Sequence, residues 1–178
     1  YIYECGEEIL IVDCGIGFPT GSMLGVDFLI PDITYLRGKA DKVKGIVLTH
    51  GHEDHIGGLP YVLPEINVPV YGTKLTLGMA DAKLDETKIP RRMIPIETGR
   101  EFTVGNNFRL KLIHVTHSVP DTANVFIKTP VGNVYHGSDY KFDWTPVDGW
   151  QTEVAEISKA GNEGIMCLLS DCLRSEKK

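Results

Sequence analysis

Thr49-His50-Gly51-His52-Glu53-Asp54-His55-Ile56-Gly57-Gly58 is the stretch from which the rest of this chain can be read. His50, His52, Asp54 and His55 are potential metal ligands. The stretch follows the apolar run Val43-Lys44-Gly45-Ile46-Val47-Leu48, which reads as a buried strand. The ligands therefore belong to the loop leaving that strand's C-terminal end. In extended backbone, side chains two apart point the same way. His50, His52 and Asp54 are thus expected to converge on one side, with His55 turned elsewhere. One ion cannot easily take all four, but two neighbouring ions can. Imidazoles mixed with carboxylates suit zinc, or manganese where oxygen ligands are more numerous. The plain alternative is a polar surface loop. Three of the chain's six histidines fall within six consecutive positions, which makes that alternative poor.

The 178 residues suffice for one domain with a sizeable core. No run of about 18 apolar residues occurs, so no membrane span is expected. The start, Tyr1-Ile2-Tyr3-Glu4, has neither the basic region nor the cleavage site of a signal peptide. Cys5, Cys14, Cys167 and Cys172 show no close-paired zinc spacing. Reduced cysteines in a cytoplasmic protein are the expectation. A net charge of −6 speaks weakly against nucleic acid. Two divalent ions would add four positive charges where a phosphate would sit, so charge does not decide the substrate.

Away from the His loop, Ile2 to Cys5 and Ile9 to Asp13 read as strands around the turn Gly6-Glu7-Glu8. The loop Gly15 to Gly25 follows, and Pro31-Asp32 can start a short helix through Leu36. Gly58 to Leu63 suits a helix opening stopped by Pro64. Pro69-Val70-Tyr71 is a short strand, and Thr73 can cap a helix reaching about Leu84. The second half turns to strands. Glu101 to Val104 and Phe108 to Val115 join through Gly105-Asn106-Asn107, and Asn124 to Thr129 joins Asn133 to His136 through Pro130-Val131-Gly132. Thr152 to Ala160 is expected as a helix. Ile165 to Ser170 reads as another buried strand, ending at Asp171. Strand groups mixed with helices predict an α/β layered domain with helices outside.

Two metals need more ligands than one loop supplies. His117 sits just after the strand Arg109 to Val115, and Asp139 follows the strand Asn133 to His136. Ligands at successive strand ends can gather at one edge of a sheet. An aspartate with two oxygens can bridge two cations about 3.5–4 Å apart. His114 is an odd number of residues from His117 and is expected to face away, into core. Tyr140, Phe142, Trp144 and Trp150 could line a base-stacking groove, but core packing is the simpler expectation without a basic stripe beside them.

The set His50-x-His52-x-Asp54-His55, then a lone His117, then a lone Asp139, resembles the metallo-β-lactamase fold hydrolases. The surrounding words narrow the resemblance. Phe18-Pro19, Gly25-Val26-Asp27, Ile30-Pro31-Asp32, His117-Ser118-Val119-Pro120-Asp121, Lys141-Phe142-Asp143 and Thr145-Pro146-Val147-Asp148-Gly149 resemble the ribonuclease J family. That family lies in the β-CASP branch, whose members act on RNA or DNA.

The resemblance implies a partial αββα sandwich of metallo-β-lactamase type over residues 1–178. The first strand, the β-CASP insertion and the returning strands of such an enzyme are expected outside this sequence. One metal would take His50, His52 and His117; the other Asp54 and His55; Asp139 would bridge them. Asp13 matches the first acidic motif and would orient the His loop, unless it merely satisfies backbone donors of the Cys14 to Gly17 loop. Asp171 would position water or donate a proton near the leaving oxygen, completing a catalytic trio with Asp54 and Asp139, unless it caps a following turn. His136 is expected behind the ligands. Two departures stand out: Ser138 precedes the bridging Asp139 where the family usually has Gly, and Cys172 follows Asp171 where it often has Ser.

The expected activity is metal-dependent cleavage of RNA phosphodiester bonds, internally or from the 5′ end, by a full-length homo-oligomer carrying two divalent ions. A small-molecule hydrolase acting on a thioester, lactone or lactam shares fold and ligands. A third possibility is a fragment inactive without the rest of its chain.

Overall fold

The computed structural model describes residues 1–85, 87–173 and 175–176. One sheet holds β1 (Ile2–Cys5), β2 (Glu8–Val12), β3 (Val43–Val47), β4 (Val70–Gly72) and β5 (Met93–Pro95), side by side in that order. β1 and β2 pair antiparallel, Ile2 opposite Ile11, whereas β2 to β5 run parallel. The second sheet is an antiparallel meander of β6 (Glu101–Val104), β7 (Phe108–His114), β8 (Ala123–Thr129) and β9 (Gly132–His136). It ends with β10 (Cys167–Leu169), parallel to β9. The helices are α1 (Glu53–Ile56), α2 (Leu59–Val62), α3 (Lys74–Asp85) and α4 (Val154–Asn162).

Strand periodicity sorts the apolar side chains into layers. Along β2, Leu10 and Val12 join Val47 of β3 and Phe108, Leu110, Leu112, Val125 and Ile127 of the second sheet in a core between the sheets. The alternate residues Ile9 and Ile11 face the other way, where α2 and α3 cover them with Leu59, Val62, Leu77, Ala80 and Leu84. Leu77, Ala80 and Leu84 recur at helical spacing, giving α3 one apolar face. On the far face of the second sheet, Ile113, Phe126 and Tyr135 pack against Ala160 and Ile157 of α4. The order is helix, sheet, sheet, helix. The buried Glu8 carboxylate fastens the sheets together by accepting the backbone N–H groups of Asn106 (2.8 Å) and Asn107 (2.8 Å) in the β6–β7 turn.

Several expectations need correction. The helix from Pro31 shrinks to a 3₁₀ turn at Thr34–Leu36, where the Asp32 side chain accepts the Thr34 N–H (2.9 Å) and holds the entry as a turn. β5 went unanticipated, because three residues ending in Pro95 carry no alternation. Thr73 does not cap α3 with its side chain. Its hydroxyl donates to the Asp121 carbonyl (2.9 Å), and the Asp121 carboxylate accepts the Leu75 N–H (3.0 Å) instead. The strand around Cys167 is not buried: it is a sheet edge, with Met166 62% and Leu168 65% exposed. Phe142, Trp144 and Trp150 are also exposed rather than core residues. Phe142 and Trp144 stack on one another at 6.3 Å in the loop after β9, which no other layer covers among the described residues. No described helix is long and apolar enough to cross a membrane. All four cysteines are free thiols.

Candidate metal centre

β2, β3, β7 and β9 all deliver polar side chains to one end of the sandwich, and each strand yields to loop at the residue that matters. β2 ends at Val12, one residue short of its expected end, because Asp13 takes a left-handed φ of 60°. β3 ends at Val47, and Thr49 and His50 follow with essentially no exposed surface. The loop does not stay extended through His55 as expected. It turns into α1 at Glu53, with His52 as the residue before the helix. Beyond His52 the two-residue alternation therefore lapses, and Asp54 and His55 leave the side occupied by His50 and His52. Gly15 makes room for this turn, since a Cβ there would lie 1.6 Å from the Asp54 carbonyl oxygen.

The result is two ligand groups sharing one residue: His50, His52, His117 and Asp139, and Asp54, His55 and Asp139. In the first, His50 Nε2 and His117 Nε2 lie 3.1 and 3.2 Å from His52 Nδ1. The carboxylate of Asp139 divides between the groups. Its Oδ2 is 3.6 Å from His117 Nε2 and 4.0 Å from His50 Nε2, while its Oδ1 is 3.6 Å from His55 Nε2. Asp54 Oδ2 stands 3.7 Å from His55 Nε2. A tetrahedral ion with metal–nitrogen bonds of about 2.0–2.1 Å holds its ligand atoms about 3.3–3.4 Å apart. His52 Nδ1 already stands close to that spacing from both other imidazole nitrogens, and all the ligand atoms of the group lie within 4.8 Å of one another, so the residues present fit a divalent ion.

Behind the ligands lies a buried hydrogen-bonded unit. Asp13 Oδ1 accepts the Thr49 N–H (2.8 Å), and Asp13 Oδ2 accepts both the Thr49 hydroxyl (2.8 Å) and His55 Nδ1–H (2.7 Å). Asp13 thus spends its carboxylate on the His loop rather than on the Cys14 to Gly17 backbone. Holding Nδ1–H of His55 leaves Nε2 as the metal-facing lone pair. Burial disfavours the charged form of Asp13, yet the hydrogen bond and charge of His55 prevail and hold its carboxyl below the usual range. Burial likewise opposes a charge on His55, but Asp13 first, then Asp139 and Asp54, raise its proton affinity above the ordinary histidine value. His50 goes the other way. Burial, reinforced by the neighbouring His55, pushes it down to about 3. Burial lowers His117 too.

The remaining expected residues are less central. His136 is buried and pushed down to about 4 by burial, and its Nδ1 pairs with the Tyr3 hydroxyl at 2.7 Å. It borders a cavity of about 360 Å³ with Tyr1, His55, Asp139 and Asp171. Asp171 is exposed at that rim, and its Oδ1 accepts the Leu173 N–H at 2.8 Å, so it does cap a turn. His114 faces away from the ligands as expected, stacked on Trp150 at 3.7 Å between ring centres. Asp121 stood in the sequence only as part of a family word; by anchoring to α3 it ties down the loop that carries His117. The bonds made by Thr49, Ser138 and Asn124 were not foreseen, because their partners lie far along the chain.

An αββα sandwich with histidines and aspartates gathered at its strand ends defines a metal-binding scaffold. The family model described as the metallo-beta-lactamase superfamily matches residues 1–152, and the chain belongs to that superfamily. It is 42% identical to ribonuclease J of Thermus thermophilus, the match covering 99% of this chain and 32% of that protein. It is 40% identical to ribonuclease J of Synechocystis, over 98% of this chain and 28% of that protein. Ribonuclease J2 of Bacillus subtilis is also 40% identical, over 99% of this chain and 32% of its own. The chain thus spans about a third of the length of these relatives. Among solved structures, Rm3 metallo-beta-lactamase superposes with a TM-score of 0.53 at 17% identity, covering 95% of this chain and 70% of that one. Zn(2+)-bound PqqB from Methylobacterium extorquens gives 0.55 at 13% identity, over 75% of this chain and 50% of that one.

Proposed function

We propose that this chain carries the metal-binding part of a two-metal ribonuclease that hydrolyses RNA phosphodiester bonds, with zinc the favoured ion and manganese the alternative. The observation that carries the reading is the split Asp139 carboxylate, one oxygen toward each ligand group. Identity of about 40% to proteins named ribonuclease J supports RNA over a thioester, lactone or lactam.

His50, His52 and His117 would hold one ion, Asp54 and His55 the other, and Asp139 both. Such a pair supplies Lewis acidity that lowers the pKa of water and offsets charge on the phosphate. The chain's own side chains do the rest. Thr49 and Asp13 hold the Nδ1 protons of His50 and His55 in place, which turns both Nε2 atoms toward the centre. Asp54, half in solvent, would accept a proton from attacking water. Asp171, at the rim of the cavity that His55 and Asp139 also border, would return one to the leaving oxygen.

The test uses the full-length protein on 5′-labelled RNA, beside a chromogenic β-lactam and a thioester. RNA cleavage that disappears in Asp139→Ala, with the ion count falling from two to one, is the expected result. Mononucleotides would indicate action from the 5′ end and longer fragments internal cutting. Hydrolysis of the small molecules with RNA untouched would overturn the substrate assignment. Retained cleavage with a single ion in Asp139→Ala would overturn the bridging role.

A further inference from the structure

The position where this chain departs from its resemblance, Ser138, is tied directly into the network behind the ligands. Its hydroxyl lies 2.8 Å from Thr49 Oγ1, and its backbone N–H donates to Asn124 Oδ1 at 3.1 Å. Ser138 is 6% exposed, Asn124 3% and Thr49 0%, so these bonds form away from solvent.

Proton accounting gives each bond a direction. A carboxylate only accepts, so the Thr49 hydroxyl proton goes to Asp13 Oδ2. Thr49 Oγ1 can then only accept from its two other neighbours. His50 must present Nδ1–H to it (3.0 Å), and Ser138 must present its O–H (2.8 Å). One oxygen atom therefore receives a ligand of the first ion and the residue that precedes the bridging aspartate. Through Asp13 the same unit holds His55, a ligand of the second ion.

We infer that Ser138 is a positioning residue that fixes the Asp139 turn to the Asp13–Thr49 unit, and that this couples the two metal half-sites in this chain. Glycine at this position, usual in the family the chain resembles, would keep the Asn124 bond and lose the side-chain one. The turn bearing Asp139 would then be held at one point rather than two. The residues of the first group keep their own supports, since His50 bonds Thr49 and His117 rides on the loop anchored by Asp121. The second group has one imidazole and depends more on Asp139. Ser138 therefore acts chiefly on the second ion.

This inference rests on the two-ion reading of the site but not on RNA as substrate. Zinc binding to the full-length protein is measured by competition with a chromophoric chelator, and cobalt(II) absorption reports ligand geometry. In Ser138→Ala and Ser138→Gly, affinity for the second ion should fall about 10–100-fold, the usual cost of removing a group that orients metal ligands. The first ion should change by less than about threefold, and the cobalt bands of the second site should shift. Thr49→Val combined with Ser138→Ala should cost less than the sum of the two, because both changes remove the same bond. Unchanged affinity and spectra in both Ser138 variants would overturn the inference. So would equal weakening of both ions, or a lowered melting temperature of the metal-free protein with metal affinities intact. Loss of the second ion in a protein that never cleaves RNA would uphold the inference while defeating the proposed substrate.

Discussion

His50 and Asp54 sit four residues apart on one loop and inhabit different worlds. The His50 side chain has no exposed surface, stands on Thr49, and is held neutral with a pKa of about 3 by burial. Asp54 keeps half of its side chain in solvent and has His55 as its one imidazole neighbour in its ligand group. His55 is held by Asp13 and surrounded by carboxylates that favour its protonated form. The first group thus offers His52 Nδ1 at 3.1 and 3.2 Å from the other two imidazole nitrogens, and burial disfavours the charged form of His50 and His117. The second is open, and its imidazole holds a proton more readily. A stiff half and an adjustable half share Asp139.

The change expected to hurt most strikes what both halves share. Asp13→Ala leaves His55 and Thr49 without their buried acceptor. Removing one partner of a buried, hydrogen-bonded ionic pair costs about 3–5 kcal/mol. Denaturant unfolding of the metal-free protein should show a loss of that order, and a loss below about 1 kcal/mol would mean that the unit is not what holds the loop.

The pH dependence sharpens the contrast. A proton and a metal ion compete for the same Nε2 lone pair. Because the folded protein raises the proton affinity of His55, that nitrogen takes its proton early as pH falls, beginning above the ordinary histidine value of about 6.5. His50, pushed down to about 3, stays unprotonated over the same range. The second ion should therefore leave first on acidification, followed by the first ion at lower pH. Metal release monitored against pH should show two separated steps, and a single step for both ions would erase the distinction between the halves.

The smallest expected effect lies behind the centre. Tyr3→Phe removes the hydroxyl partner of His136 Nδ1. The expected cost is about 1 kcal/mol of stability. Zinc affinity should stay the same, because neither residue belongs to a ligand group.

Much of this was legible in the sequence, and the rest was not for definite reasons. His50, His52, Asp54 and His55 stood out as candidate ligands because metal chemistry restricts residue types and the loop concentrates them; His117 and Asp139 joined them because that loop needs partners and through the family resemblance. Leu110 and Leu112 revealed their strand by alternating with Arg109 and Lys111, and Ile9 to Val12 revealed theirs as a short apolar run. The turn at Glu53 did not show, since four residues of helix leave no periodic signature; the consequence was placing Asp54 with His50 and His52. β5 and the exposed β10 depend on what lies beside them, which composition does not record. The aromatic residues after Asp139 looked like core because size and apolarity are the same inside and out. The bond between Thr49 and Ser138 stayed silent for another reason: it spans 89 positions, and although Ser138 stood out as a departure from the family, nothing near it in the chain names its partner.

Anomalous diffraction from crystals of the protein grown with zinc, recorded at the zinc absorption edge, tests the central claim most directly. A strong peak amid His50 Nε2, His52 Nδ1, His117 Nε2 and Asp139 Oδ2 is expected, with a second of equal or lower occupancy between Asp54, His55 and Asp139 Oδ1. A peak at the second position with none at the first would contradict the account, as would zinc held away from Asp139 altogether.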